Sequence, residues 1–347
     1  MAVRGVFGGS VGDTGTTAFL EQDRTEPTLS PVRGLRKLLL KERSEADLAR
    51  RRFRLRQGHC RVVVEGAERS YLFGFNAAVS REVCKIEEMS PEQRSFAYEG
   101  AGAACTVLDL LTMTRGRRLH ELLAGPARLH PHAVHVGAGR GYALLRLRPV
   151  WGIRRTHPLF RWLAVDGFGF QWSLARADRM VGERTMPDLL TRAHCAIFDQ
   201  GLGRLLWYHE CASPDDVAAR IASFPAGRRG DLWSGVGFAA THTGGATADE
   251  LWWLADHAGA DGFRAHLAQG CAFAVSAGLQ ARALPDHVAL AVPILAGAEP
   301  DEAGAWAEGA LIELGHDPHT HEDFQSWRAH TRRAWARGKR TCSRTRG

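Results

Sequence analysis

The sequence predicts an all-α protein of about seven helical-hairpin repeats, stacked as an α-solenoid of the tetratricopeptide size class or closed into an α/α toroid. Three observations predict it. A small-residue core recurs at Gly100, Gly137, Gly167, Gly201, Gly235 and Gly270, with a weaker seventh copy at Gly309, in steps of 37, 30, 34, 34, 35 and 39 residues. An arginine stands six residues before the glycine at Arg94, Arg161, Arg229 and Arg264. Helix-start signals fall between the copies: Ser213 and Pro214 precede two acids, and Thr247 opens ADELWWLADHAG, with Gly259 expected as its end. A glycine inside a helix costs about 1 kcal/mol relative to alanine. Repeating that cost implies helices that must approach closely.

Along the chain, residues 1–32 are rich in Gly, Thr and Ser without periodicity, and a disordered arm is expected there. The repeat domain spans 33–327. Within it, residues 35–53 predict an amphipathic basic helix. The β-branched, alternating segment CRVVVEGAERSYLF (60–73) predicts a short β-hairpin. Residues 328–347 predict a mobile basic tail.

The formal net charge of +7 is unevenly distributed. Residues 33–56 carry +7, residues 328–347 carry +8 and residues 1–32 carry −2, which leaves −6 on the body. Basic ends on an acidic body argue against a nucleic-acid-binding face. No apolar run reaches the length of a membrane span, so no membrane partner is expected. The start of the chain lacks the apolar core of a secretory signal. The seven cysteines are dispersed without a C-x-x-C pair, which suits free thiols and a cytoplasmic setting.

Candidate chemistry follows the repeat. The residue before each repeat glycine reads Glu99, Val136, Asp166, Gln200, Ser234, Gln269 and Glu308, polar in six of seven copies. If the glycine faces line an inner surface, these side chains ring it. Carboxylates in an apolar cavity can serve as general acids. Glu99, Asp166, Asp199 and His135 are therefore the catalytic candidates, and Gln200, Gln269, Arg94, Arg229 and Trp233 the substrate-binding ones. The structural alternative pairs the polar residues with helix ends or with Arg94, Arg161, Arg229 and Arg264.

Other motifs carry less. Gly137-x-Gly139-x-Gly141 resembles a dinucleotide-binding loop, but the ribose-binding acid expected about 20 residues on is missing. His316, His319 and His321 lack a second ligand pair, and no metal site is expected. No cofactor is expected. Asp215-Asp216 lacks the third carboxylate of the Asp-rich motif of isoprenoid enzymes.

The segments RSFAYEGAGAACTVLDLL (94–111), HAVHVGAGRGYALLRL (132–147), RWLAVDGFGF (161–170), FDQGLGRLLWY (198–208), RRGDLWSGVGFAATHTGG (228–245) and LAQGCAFAV (267–275) together resemble the DUF1702 family. Members accompany actinobacterial polyketide gene sets, notably those for enediynes. The resemblance implies an accessory protein or tailoring enzyme that binds an extended apolar polyene in a helix-lined cavity. The alternative is a non-catalytic scaffold for a synthase or carrier protein, and a third reading is an isoprenoid-chain cyclase. The partner is thus an apolar small molecule or a polyketide synthase component, and whether the protein is an enzyme stays open. Two departures stand out. The family pattern implies an aromatic or small residue near Arg140, and a histidine where Gln171 stands.

Overall fold

The computed structural model describes residues 26–51, 53–153 and 156–344. The fold is all-α, and no strand occurs among the described residues. The expected disorder of 1–32 falls mostly on residues outside the described part.

Eight helices form the framework: α1 (His59–Ser80), α2 (Pro91–Leu111), α4 (Pro131–Leu144), α5 (Leu163–Ala175), α6 (Cys195–His209), α8 (Ala226–His242), α10 (Arg264–Ala281) and α12 (Pro300–Ile312). Each packs on the one before it and the one after it. Shorter helices bridge some of the steps: α3 (Arg117–Ala124), α7 (Pro214–Ala222), α9 (Ala248–Ala260) and α11 (Asp286–Leu295). The steps from α1 to α2, α4 to α5 and α5 to α6 use only short 3₁₀ or π turns. A complete helical hairpin in every repeat is therefore not what forms. The glycine-bearing helix recurs, while the connection varies.

The recurring glycines make the close approach that their cost implied. A methyl group on Gly137 would overlap the carbonyl oxygen of Glu99 in the preceding helix. Two residues later, a methyl on Gly139 would overlap the carbonyl oxygen of Ala164 in the following one. The same backward contact recurs at Gly100, Gly167, Gly201, Gly235 and Gly270. Gly309 is different, since a methyl there would meet nothing within 4 Å; the weak seventh copy is not part of the seam.

Three local expectations are overturned. Residues 60–73 lie within the helix α1, not in a β-hairpin. Gly74 in α1 sits against the Ala97 carbonyl, so the glycine seam begins there, and tertiary packing overrides the β propensity of the valines. Where one helix was expected over 35–53, the described residues form three short 3₁₀ turns, Gly34–Leu39, Arg43–Ala46 and Leu48–Arg51. The basic tail is not an appendage beginning at 328. His321–Arg344 is one helix, α13, whose Trp327, Arg328 and Thr331 are almost wholly buried. Trp327 donates to the Ala307 carbonyl of α12 at 2.8 Å, and Arg328 pairs with Asp231 of α8 at 2.6 Å.

Cap chemistry agrees better. Thr247 and Glu250 close a reciprocal capping box on α9. The helix ends past Gly259, and Gly262, at φ +83°, turns the chain.

Helices that are not neighbours in the row also meet. Ser95 of α2 bonds His242 of α8 at 3.1 Å, and His132 of α4 bonds Gln280 of α10 at 3.0 Å. The helix row thus surrounds a filled interior.

Candidate functional site

The interior is polar along one continuous line. At its start, Arg140 of α4 donates to both carboxylate oxygens of Glu68 in α1, at 3.0 and 2.8 Å. It also donates to Glu99 Oε1 at 3.0 Å and to Gln171 Oε1 at 2.9 Å. Its guanidinium lies over the Tyr71 ring, 3.3 Å from the centroid. Arg204 of α6 continues the line, reaching Glu99 Oε2 at 3.3 Å and Asp166 Oδ1 at 2.7 Å. Gln200 donates to Asp166 Oδ2 at 2.8 Å, Ser234 donates to Gln200 Oε1 at 3.2 Å, and Gln269 donates to Ser234 Oγ at 2.8 Å. Arg332 of α13 closes the line on Gln269 Oε1 at 2.5 Å.

The predicted ring is therefore real for five of its members: Glu99, Asp166, Gln200, Ser234 and Gln269 are linked through the interior. Their guanidinium partners are not the four arginines that precede the glycines. Arg94 turns back to donate to the carbonyls of Met89 and Glu87. Arg229 does the same to Phe224 and Ala222, five and seven residues earlier in both cases. These two side chains fasten the start of their own helices and do not face the interior line. Trp233 is buried and donates to Asp261 at 2.9 Å, again away from it.

Asp199 and His135 are also placed elsewhere. Asp199 is gripped by both prongs of Arg228, at 2.9 and 2.6 Å, and burial pushes its pKa up to about 6. His135 donates from Nδ1 to the Pro131 carbonyl at 2.6 Å and accepts at Nε2 from the His157 amide at 3.2 Å. Both of its nitrogens are committed to holding the loop before α5.

The sequence reading missed Arg140 and Arg204 as organising residues, although a signal existed. Both stand three residues after a repeat glycine, in GAGR and GLGR. The two positions where the family pattern implied other residues, Arg140 and Gln171, are bonded to one another.

Against this polar line lies an enclosed cavity. Glu99, Asp166, Gln200 and Arg204 form its floor, and its wall includes Val136, Leu163, Phe238, Phe273 and Trp327. Phe273 and Trp327 stack with centroids 4.3 Å apart. The space left for the centre of a water-sized sphere is about 20 Å³, enough for a water or two.

Two imidazoles complete the lining. His132 faces the Gln280 carbonyl oxygen through Nδ1, which makes Nδ1 the donor and leaves Nε2 a bare lone pair. That Nε2 is buried and has no partner. Burial brings the His132 pKa down to about 4, so the ring is neutral at neutral pH. His242 bonds Ser95 through Nε2 while its buried Nδ1 has no partner. Burial, aided by Arg204, brings its pKa to about 3.

With every oxygen of Glu99 and Asp166 bonded, these carboxylates serve as a charged floor. His132 Nε2 is left as a hydrogen-bond acceptor without a partner. The ionic side chains along the line, Glu68, Glu99 and Asp166 with Arg140, Arg204 and Arg332, are balanced three to three.

Gly137, Gly139 and Gly141 face neighbouring helices, so the glycine triplet is used in packing and cradles no phosphate. Among the described residues, no group of three or more His, Cys, Asp or Glu side chains could hold a metal ion. No helix among them is long and apolar enough to cross a membrane.

No curated protein and no protein of solved structure matches the chain. The family model described as a protein of unknown function, DUF1702, matches residues 31–335, and the chain belongs to that family.

Proposed function

We propose that the protein binds an apolar small molecule in the cavity between α2, α4, α5, α6, α8, α10 and α13, and acts as an accessory protein or tailoring enzyme of polyketide biosynthesis. One observation carries the binding reading: His132, whose buried Nε2 has no partner, lines a cavity with an aromatic wall and an ionic floor. A buried acceptor left unbonded costs about 1–3 kcal/mol, which a ligand hydroxyl or N–H would recover. At His132 Nε2 such a group would be hydrogen-bonded, while the aromatic wall takes the hydrocarbon. The polyketide setting, and the extended polyene as ligand, rest on the family resemblance.

The cavity as it stands is too small for such a ligand. The scaffold reading has its own support in Trp252 and Trp253, side by side on α9 and 52% and 55% exposed.

Native mass spectrometry of the protein purified from a polyketide-producing host tests the proposal. A bound small molecule is expected, and it should be lost from Ala133→Leu, which fills the cavity at a cost of about 1–3 kcal/mol in packing. A protein partner with no small ligand would overturn the binding reading in favour of the scaffold.

A further inference from the structure

A second cavity opens on the surface, far along the fold from the first in its lining residues. Arg36, Arg81, Arg117 and Arg118 stand around it, and Ala78, Val83, Leu108, Leu122 and Pro126 line it with apolar surface. Its volume is about 430 Å³. We propose that this cavity binds the phosphate group of a small phosphate monoester, whose short apolar body lies on the aliphatic floor.

Two of the four guanidinium groups are held in place from behind. Arg36 donates to the Val79 carbonyl at 2.8 Å. Arg118 is fixed through Nη1 by Asp109 Oδ1 at 3.2 Å and by the hydroxyls of Thr112 and Thr114 at 2.8 Å each. Arg81 caps α1 in the left-handed region, at φ 65°, and has no ion pair with any carboxylate among the described residues. Only Arg117 swings on an exposed and weak pair with Glu121 at 3.5 Å.

The charge does not balance internally. Four guanidinium groups face the two carboxylates of Glu121 and Asp109, leaving +2. Burial first, and then the neighbouring charges of Arg81 and Arg118, press the Arg36 pKa down. A phosphate monoester carries about −1.5 to −2 at pH 7, which matches the excess, whereas one carboxylate would cancel half of it. The planar guanidinium fork also matches phosphate oxygens. The aliphatic floor selects an ester over the inorganic ion.

Titration calorimetry of the full chain with hexyl phosphate, inorganic phosphate and hexanoate tests the assignment. Hexyl phosphate should bind about tenfold more tightly than either of the others, a difference of about 1.4 kcal/mol. Arg81→Gly keeps the left-handed backbone that a glycine accepts freely and should weaken hexyl phosphate about tenfold while leaving the melting temperature in place. Arg36→Gln should weaken it similarly. Hexanoate binding as tightly as hexyl phosphate would sink the phosphate assignment. So would binding that survives both substitutions, or the absence of binding.

Discussion

Arg140 and Glu68 stand 72 residues apart in the chain and meet in the interior as a two-pronged ion pair, at 2.8 and 3.0 Å. Each is at least nine-tenths buried. The pair ties α1 to α4, and Glu99 then hands the connection to Arg204 and Asp166, so α1, α2, α4, α5 and α6 share one electrostatic knot. Ionic groups in such a place are costly to bury, and the cost is offset only while every partner stays.

Arg140→Met should therefore leave Glu68 and part of Glu99 unpaired in the interior and destabilise the protein by about 3–5 kcal/mol. Urea unfolding followed by circular dichroism measures it. A loss below about 1 kcal/mol would show that the interior readily admits water and that the knot is not what holds these helices together.

The glycine seam makes a paired prediction. Gly137→Ala places a methyl on the Glu99 carbonyl, where neither backbone can yield cheaply, and a severe loss of stability or of soluble protein is expected. Gly309→Ala meets open space and should stabilise by about 0.5–1 kcal/mol through helix propensity. Equal effects of the two substitutions would refute the seam.

Stability should fall on mild acidification. Burial holds His130, His132, His135, His194 and His266 at about 4 and His242 at about 3, against 6.5 for the free side chain. Between pH 6.5 and 4 the unfolded chain takes up protons that the folded one refuses, so stability drops as pH falls through that window. Asp199, raised to about 6 from 3.8, and Glu92, also raised by burial, act in the opposite sense but are fewer. Melting temperatures from pH 7.5 to 4.5 should decline, with a shallower slope in His132→Phe. A flat profile would contradict the neutral, buried imidazoles.

Cys60 and Cys211 face one another with sulfurs 3.8 Å apart. The Cys211 thiol and the Arg56 charge bring Cys60 down to about 6, making it the thiolate of the pair. A small azo oxidant such as diamide should accept two hydrogens from the pair and join the sulfurs, tying α1 to the end of α6. Intact-mass measurement should show that loss in the parent protein and not in Cys211→Ser. Persistence of the free pair would mean that the helices cannot close the remaining gap to bonding distance.

How far the sequence was legible depends on the reach of each interaction. The glycine period, the all-α class and the polar position before most of the glycines were readable because all three are local: a helix seam needs a small residue at the same phase of each turn, and at five of the seven copies the polar side chain at that phase joins the interior line, whereas Glu308 beside the unpacked Gly309 is exposed. Gly74 carried the same signal in α1, but the valines around it read as strand, and only packing against Ala97 resolves that conflict. The start of α9 at Thr247 was readable from its capping residues.

Partner choice was not local. Glu99 lies among helices that could have offered it Arg94, and Arg94 is instead drawn to the carbonyls of its own helix start, where the reach is short. Arg140 and Arg204 both reach Glu99 only because the row of helices winds until α2, α4 and α6 come together. The same winding sets His132 against Gln280 and brings Trp327 of the C-terminal helix over the cavity. The sequence by itself determined the seam, since backbone contact admits only glycine there. The tertiary structure decided which charges meet, because a charge pairs with whatever the closed fold places within about 3 Å of it.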